Sequence, residues 1–179
     1  VSLDKVMVLK VLQYPDPVLH QAARPITEIT PDIVTLAQNM AETMYAEKGI
    51  GLAAPQVGEL VRMIVVDVAH ADGEPDLHVF INPELTPLAG DVVVCEEGCL
   101  SVPDFRADVE RAERVLLRAT GLDGKPIELE ADDMFAICLQ HEVDHLDGKL
   151  FIDRISRLKR SLYASSVKKR LKRDAQERD

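Results

Sequence analysis

The sequence of 179 residues predicts an α+β fold, in which mainly antiparallel or mixed β-sheets surround a buried helix and a further helix follows at the C-terminal end. This fold class is predicted by two segments with helical spacing, by short segments rich in valine, isoleucine and leucine, and by the turn signals between them. An apolar content of 46% and a charged content of 29% are typical of a folded globular chain. No apolar run approaches the roughly 20 residues that cross a bilayer, so we expect no membrane span.

The first predicted helix begins after Thr30 and ends before Gly49. Thr30 is a favourable capping residue, and Pro31 suits the first helical turn. Apolar residues recur along one side of this helix and indicate a face that packs on the core: Ile33, Leu36, Ala37, Met40 and Met44.

Five short apolar segments follow, and their composition predicts β-strands. Asp123-Gly124 is a short turn signal, so the last two strands should form an antiparallel hairpin. Pro83 and the Ala89-Gly90 pair are expected to separate the earlier strands. The predicted strands are Val61–Val68, Leu77–Ile81, Val92–Cys95, Val115–Ala119 and Ile127–Glu130.

The second predicted helix, from Ala131 to Gly148, is apolar on more than one side and should be buried. It contains His141-Glu142-Val143-Asp144-His145, an H-E-x-x-H pattern. Histidines four residues apart stand one turn from each other, so both imidazoles can bind one metal ion. Glu142 can then reach a metal-activated water as general base. The buried helix is therefore predicted to be a metal-binding helix.

A catalytic metal site needs a third protein ligand, and the residues alone leave its identity open. No histidine follows His145, and the nearby downstream carboxylates belong to Asp147 and Asp153. Upstream, Cys95 and Cys99 offer thiolates. The three cysteines are an odd number in a chain large enough to need no disulfide, so we expect free thiols or a thiolate ligand.

A segment of small residues, Gly49–Gly58, lets the main chain pass close to another group. It lacks the glycine spacing of nucleotide-binding loops and follows a helix instead of a strand, so nucleotide binding is not expected. The side-chain amide of Gln56 could donate to a developing oxyanion.

The three blocks GIGLAAPQVG, EGCLS and QHEVDHLDG occur in this order and together resemble the peptide deformylases. The resemblance runs from about Val8 through the C-terminal helix and includes the opening segment Val11–Pro17. It implies removal of the formyl group from the N-terminal formylmethionine of newly made polypeptides. It also implies roles for six residues: Cys99, His141 and His145 as metal ligands, Glu142 as general base and acid, and Gln56 with the backbone N–H of Leu100 as oxyanion donors.

The substrate pocket is predicted in two ways. Met134, Ile137 and Cys138 precede His141 on its helix face and should form an apolar wall beside the metal. The resemblance adds Ile50, Gly51, Cys95 and Glu97 as substrate-binding residues.

The resemblance further implies one divalent cation per chain, with iron(II) expected physiologically and zinc(II) or nickel(II) acceptable to the same ligands.

The formal net charge of −10 is unevenly distributed. Residues 1–153, the predicted catalytic domain, carry 11 basic and 28 acidic residues, whereas residues 154–179 carry 10 basic and 3 acidic residues. Ile155, Leu158, Leu162 and Leu171 are expected to form the apolar stripe of this basic C-terminal helix. The charge asymmetry favours a polyanionic partner, and the resemblance implies the ribosome.

No charged stretch followed by a long apolar one opens the chain, so we expect a cytoplasmic protein, and we expect a monomer. Two other functions remain open. An H-E-x-x-H peptidase would need a downstream third ligand. A ribosome-associated module without enzymatic activity would hold its metal with four protein ligands.

Overall fold

The computed structural model describes residues 6–70 and 72–178, so residues 1–5 and 71 of the predicted domain and residue 179 of the predicted tail lie outside the described part. The described residues form three α-helices: α1 (Pro31–Ala46), α2 (Asp133–Leu146) and α3 (Arg157–Gln176). The strands are β1 (Gly51–Ala53), β2 (Met63–Val66), β3 (His78–Pro87), β4 (Val92–Cys99), β5 (Val102–Ala112), β6 (Val115–Thr120) and β7 (Pro126–Ala131).

The strands form two sheets in which every pair is antiparallel. One sheet has the order β1-β2-β3-β6-β7, and the other contains β4 and β5 alone. The hairpin predicted from Asp123-Gly124 is the β6–β7 pair. The predicted α+β class with antiparallel sheets and a C-terminal helix is therefore confirmed.

Helix α1 begins where the sequence predicts. The Thr30 hydroxyl accepts a hydrogen bond from Ile33 N at 3.4 Å and caps the helix. Met40 and Met44 are fully buried and pack with Leu52, at the centre of β1. The helix thus supports the strand that leads into the site.

Strand β3 corrects the prediction that Pro83 ends a strand. The strand continues to Pro87, and its register against β6 shifts between Ile81 and Glu84. A bulge accommodates a proline because the missing N–H is not required by the ladder there. Asn82 has a φ of 50°, and its side chain bonds both main-chain groups of Ile26 at 2.8 Å.

Two strands were not predicted at all, β1 and β5. β1 lies in the segment of small residues, Gly49–Gly58, for which we predicted no strand. β5 carries Asp104, Arg106, Asp108 and Glu110 at alternate, exposed positions, so its apolar content is low. Its inward side chains include Ala107 and Val109. The strand pairs with β4, so β5 positions the end of β4, where Cys99 lies.

Helix α3 packs on the rest of the protein through different residues from those predicted. Of the predicted apolar stripe, Leu158, Leu162 and Leu171 are 70%, 63% and 47% exposed and do not pack on the core. Ile155, just before the helix, is partly buried against the cluster that contains Phe151. The buried residues are Tyr163 and Val167, which lie one turn apart. The Tyr163 ring packs on that of Phe105 with centroids 4.7 Å apart, which selects this face. None of the described helices is long and apolar enough to cross a membrane.

Candidate metal centre and active site

Helix α2 runs between the two sheets and brings the H-E-x-x-H residues into the interior. It contacts β1, β2 and β3 of the larger sheet and β5 of the smaller one. Ala136 and Leu139 are fully buried in the core against the larger sheet. The helix ends before Gly148, whose φ of 72° suits a glycine. Packing on both sides therefore fixes the rotation of the helix and the direction of its histidines.

Cys99, His141 and His145 converge on one point. Their ligand atoms all lie within 4.8 Å of one another, and Cys99 Sγ is 3.3 Å from His145 Nε2. Within residues 6–70 and 72–178, no other group of three such side chains converges in this way. One thiolate and two imidazoles suit a first-row divalent cation and leave a coordination position for water. Burial lowers the pKa of His145 well below its usual value, which favours the neutral ring that binds a metal. For His141, burial also acts to lower the pKa, but hydrogen bonds to Cys99 and Glu97 outweigh it and raise the pKa well above its usual value.

The alternative ligands lie elsewhere. Asp147 is exposed, and its carboxylate pairs with Arg62 at 2.9 Å. Asp153 accepts from Leu150 N at 2.8 Å and forms an ion pair with Arg160. Neither these carboxylates nor Cys95 belongs to the convergent group. The ligand set implied by the resemblance is therefore the one that the geometry brings together.

The Glu142 carboxyl group lies beside this group without a structural partner. The residue is 4% exposed, and its Oε2 is a buried oxygen to which no described residue donates a hydrogen bond. Burial raises the pKa of Glu142 to about 7, although the nearby His141 opposes the shift. A buried oxygen without a hydrogen bond next to three ligand atoms fits a site that holds a cation and a reacting water. A carboxyl group that titrates near neutrality can both accept and return a proton.

Gly51 gives Glu142 its space. A Cβ at this position would lie 2.5 Å from Glu142 Oε1 and 2.8 Å from Cys138 Sγ. Only a glycine therefore lets the main chain of β1 pass this close to the carboxylate.

Gln56 is oriented by its own hydrogen bonds. Its Oε1 accepts from Ala53 N at 2.9 Å, which directs Nε2 toward the metal ligands. Nε2 donates to Ser101 Oγ at 3.1 Å and lies 3.5 Å from Cys99 Sγ. Leu100 occupies the turn between β4 and β5, directly after Cys99. Both predicted oxyanion donors therefore border the same space as the ligands.

Glu97 lies behind His141 and is bonded on both oxygens. Its Oε1 accepts from His141 Nδ1 at 2.7 Å, which leaves Nε2 of that ring for the metal. Arg111 donates to both oxygens at 2.8 Å. Burial would raise the pKa of Glu97, but the hydrogen bonds from Arg111 and His141 outweigh it and hold the pKa below its usual value.

The buried charges continue from Arg111 to the surface. Arg111 Nη1 donates to Asp144 at 2.7 Å, and Arg154 donates to both oxygens of Asp144 at 2.6 and 2.7 Å. Sequence reasoning missed Arg111 and assigned Asp144 no role. The available signal was a charged residue at an inward position of an alternating strand, since Arg111 follows Ala107 and Val109 at two-residue steps.

A cavity of about 620 Å³ opens beside the ligands. His145 does not line the cavity, because it is buried behind the other two ligands. Burial raises the pKa of the Cys138 thiol, so this side chain stays protonated. Met134 is 47% exposed at the rim, where it is less enclosed than a core position. Lys48 and Arg106 also border the cavity and were not predicted. Every other predicted site residue lines it: Ile50, Gly51, Gln56, Cys95, Glu97, Cys99, Leu100, Met134, Ile137, Cys138, His141 and Glu142.

Comparison with known proteins identifies relatives along almost the whole chain. The family model described as polypeptide deformylase matches residues 8–161. A peptide deformylase of Acinetobacter baumannii (strain SDF) is 48% identical over 161 residues, 90% of each chain. The crystal structure of a peptide deformylase from Legionella pneumophila has a TM-score of 0.84 and 39% identity, over 94% of this chain and 98% of that one. A Met-Ala-Ser-bound peptide deformylase from Acinetobacter baumannii has a TM-score of 0.78 and 36% identity, over 84% and 100%. The chain therefore belongs to the polypeptide deformylase family.

Proposed function

We propose that this chain hydrolyses the formyl group from the N-terminal formylmethionine of newly synthesised polypeptides and releases formate. The observation that carries the proposal is the buried, unpaired Glu142 carboxyl group beside the converging Cys99, His141 and His145 side chains. A linear amide can reach this group through the cavity of about 620 Å³.

Cys99, His141 and His145 would hold one divalent cation. When bound, such a cation lowers the pKa of a coordinated water toward neutrality and polarises a carbonyl oxygen. Glu142 accepts the proton of the attacking water and returns it to the amine that leaves. Burial raises the pKa of Glu142 to about 7 in the metal-free protein, so its surroundings favour a carboxyl group that accepts and holds a proton.

Gln56 and Leu100 would stabilise the charge that develops on the formyl oxygen. The Gln56 amide is held by Ala53 N and Ser101 Oγ, so it is oriented before the substrate binds. The main-chain N–H of Leu100 supplies the second donor. Removal of one such donor typically slows catalysis by about 10²–10³-fold.

The methionine side chain of the substrate would bind against Met134, Ile137 and Cys138. These side chains are apolar and line the cavity beside His141. The relative crystallised with Met-Ala-Ser supports a peptide that begins with methionine as the ligand of this cavity. Ile50, Gly51 and Cys95 lie on its walls and are proposed as further substrate contacts. For Glu97 we propose that the carboxylate acts through His141, because both oxygens are already bonded.

Iron(II) is our proposed physiological metal, on the strength of the family resemblance. The donor set also accepts zinc(II) and nickel(II). Metal analysis of protein purified without oxygen tests this assignment, together with the activity of the iron and zinc forms. Equal activity and equal stability in air of the two forms would contradict it.

The basic helix α3 is proposed to bind the ribosome. Residues 154–179 carry 10 basic side chains, and most of those on α3 are exposed. Deleting the end of the helix would remove the buried Val167, so charge neutralisation is the sharper test. Replacing Lys168, Lys169, Lys172 and Arg173 by glutamine should abolish cosedimentation with ribosomes at low salt. Unchanged cosedimentation would contradict this proposal.

We also propose that the protein is a monomer, which light scattering would test.

The reaction itself is tested with formyl-Met-Ala-Ser. We expect the metal-loaded protein to release formate and Met-Ala-Ser, with the peptide bonds intact in the mass spectrum. An H-E-x-x-H peptidase would cut the internal bonds, and a structural metal site would leave the peptide unchanged. Either of these results would contradict the proposed activity.

A further inference from the structure

The main chain that leads into β1 is held from outside the cavity by a turn after β2. The carbonyl of Ile50 accepts a hydrogen bond from Asp67 N at 2.9 Å. The preceding carbonyl, that of Gly49, lies 2.9 Å from Nε2 of His70. A carbonyl only accepts, so this histidine nitrogen carries the hydrogen. Two consecutive carbonyls of the cavity wall are thus bonded to a single turn, directly before Gly51.

Two further contacts hold His70, and the two residues that make them are bonded to each other. Its main-chain N–H donates to Asp67 Oδ1 at 3.0 Å. Its ring packs edge-on against Tyr45, with centroids 5.2 Å apart and the planes at 89°. The Tyr45 hydroxyl donates to Asp67 Oδ2 at 2.6 Å. The ring therefore has little freedom to leave the Gly49 carbonyl.

Asp67 is the buried centre of this arrangement. It is fully buried and also accepts from Ala69 N at 3.0 Å and Asp76 N at 3.1 Å. Burial opposes the charge, but the hydrogen bonds from Tyr45 and the three N–H groups lower the pKa of Asp67 below its usual value. Asp67 is therefore a charged acceptor that holds the main chain of Ala69, His70 and Asp76.

We propose that His70 is a positioning residue for the substrate, because its Nε2–H holds the Gly49 carbonyl and thereby fixes the Gly49–Gly51 wall of the cavity. This inference rests on the proposed function for its kinetic consequence. The metal ligands and Glu142 lie on β4 and α2, and Gln56 is also held by Ser101 Oγ. Loss of the bond therefore loosens the wall against which the peptide lies more than it displaces these groups. The effect should therefore appear in KM more than in kcat.

The test compares two substitutions at His70 with a matched control. His70→Phe keeps a ring against Tyr45 and removes the donor, whereas His70→Gln keeps an N–H donor at a similar reach. His78→Phe is the control, because the His78 ring stacks on Phe80 and, among the described residues, its Nε2 pairs with the exposed Asp76 carboxylate alone. KM and kcat are measured for formyl-Met-Ala-Ser, and hydrogen–deuterium exchange is measured for the segment 49–54.

For His70→Phe we expect KM to rise about fivefold, as for the loss of one hydrogen bond, with kcat within twofold and unchanged metal content. Exchange in segment 49–54 should become faster. His70→Gln and His78→Phe should resemble the wild type in both measurements. Unchanged KM and exchange in His70→Phe, or equal losses in His70→Phe and His70→Gln, would overturn the proposal. If the wild type released no formate, the proposed function would fail, and the exchange measurement would still test the role of His70.

Discussion

Replacing Gly51 by alanine would place a methyl group against the Glu142 carboxylate. The added Cβ would lie 2.5 Å from Glu142 Oε1, whereas ordinary van der Waals contact begins at 3.4 Å. The carboxylate must therefore retreat by about 0.9 Å, and a misplacement of about 1 Å can cost about 10²-fold in rate. Because the carboxylate is the far end of a flexible side chain, it can move without unfolding the protein. We expect kcat/KM to fall about 10²-fold with little change in thermal stability.

Formate release from formyl-Met-Ala-Ser measures this effect, with the metal content determined for each variant. Gly73→Ala is the matched control, because a Cβ at Gly73 would meet no atom of the described residues within 4 Å. This control should keep the wild-type kcat/KM. If Gly51→Ala kept its metal and lost less than about threefold in kcat/KM, the assigned position of the catalytic carboxyl group would be wrong.

Three further predictions concern the buried charges and the metal. Burial raises the pKa of Glu142 from 4.5 to about 7, so the free energy of unfolding of the metal-free protein should fall as the pH rises through this range. Glu142→Gln should therefore raise the free energy of unfolding by about 3 kcal/mol at pH 8 and change it little at pH 4, as measured by urea unfolding. Arg111→Met removes the buried guanidinium that joins Glu97 to Asp144, leaves these carboxylates with His141 and Arg154 as their remaining partners, and should cost about 3–5 kcal/mol of unfolding free energy in the same assay. Arg118→Met, which breaks an exposed pair with Glu128, should cost less than about 1 kcal/mol. Removing the metal with a chelator should lower the midpoint of thermal unfolding of the wild type and abolish its activity, but should leave the midpoint of Cys99→Ala unchanged. Equal shifts of the midpoint in both proteins would contradict the ligand assignment.

The helices and most strands could be predicted because local patterns determine them. Thr30 and Pro31 mark the start of α1, and Asp123-Gly124 marks the hairpin between β6 and β7. The C-terminal helix was also predicted, but its buried face was not. A leucine pattern could not show that Tyr163 would pack against Phe105, because that contact joins α3 to a distant strand.

The missed strands share a physical cause. β5 has charged side chains on its exposed face, so its composition resembles that of a loop. β1 contains a glycine and only three residues, and it exists because β2 pairs with it. Pro83 is tolerated within β3 by a bulge that depends on β6. Such features arise from pairing with other segments and leave little trace in the local sequence.

The candidate site was predicted in two stages. The H-E-x-x-H spacing alone indicates His141, His145 and Glu142, because one helical turn separates the histidines. The spacing left the third ligand open, and the resemblance pointed to Cys99. Neither the spacing nor the resemblance could show that Glu97 accepts a hydrogen bond from His141, or that Arg111 joins Glu97 to Asp144. These contacts connect β4, β5 and α2, which are distant in the sequence.

The central claim is that a metal held by Cys99, His141 and His145 works with Glu142 to hydrolyse a formyl amide. Formate release from formyl-Met-Ala-Ser by metal-loaded wild type and Glu142→Ala, each with its metal content measured, tests it most directly. We predict one metal ion per chain in both proteins, rapid formate release by the wild type and a loss of at least about 10²-fold in Glu142→Ala. No formate from the metal-loaded wild type, or an undiminished rate in Glu142→Ala, would contradict the claim.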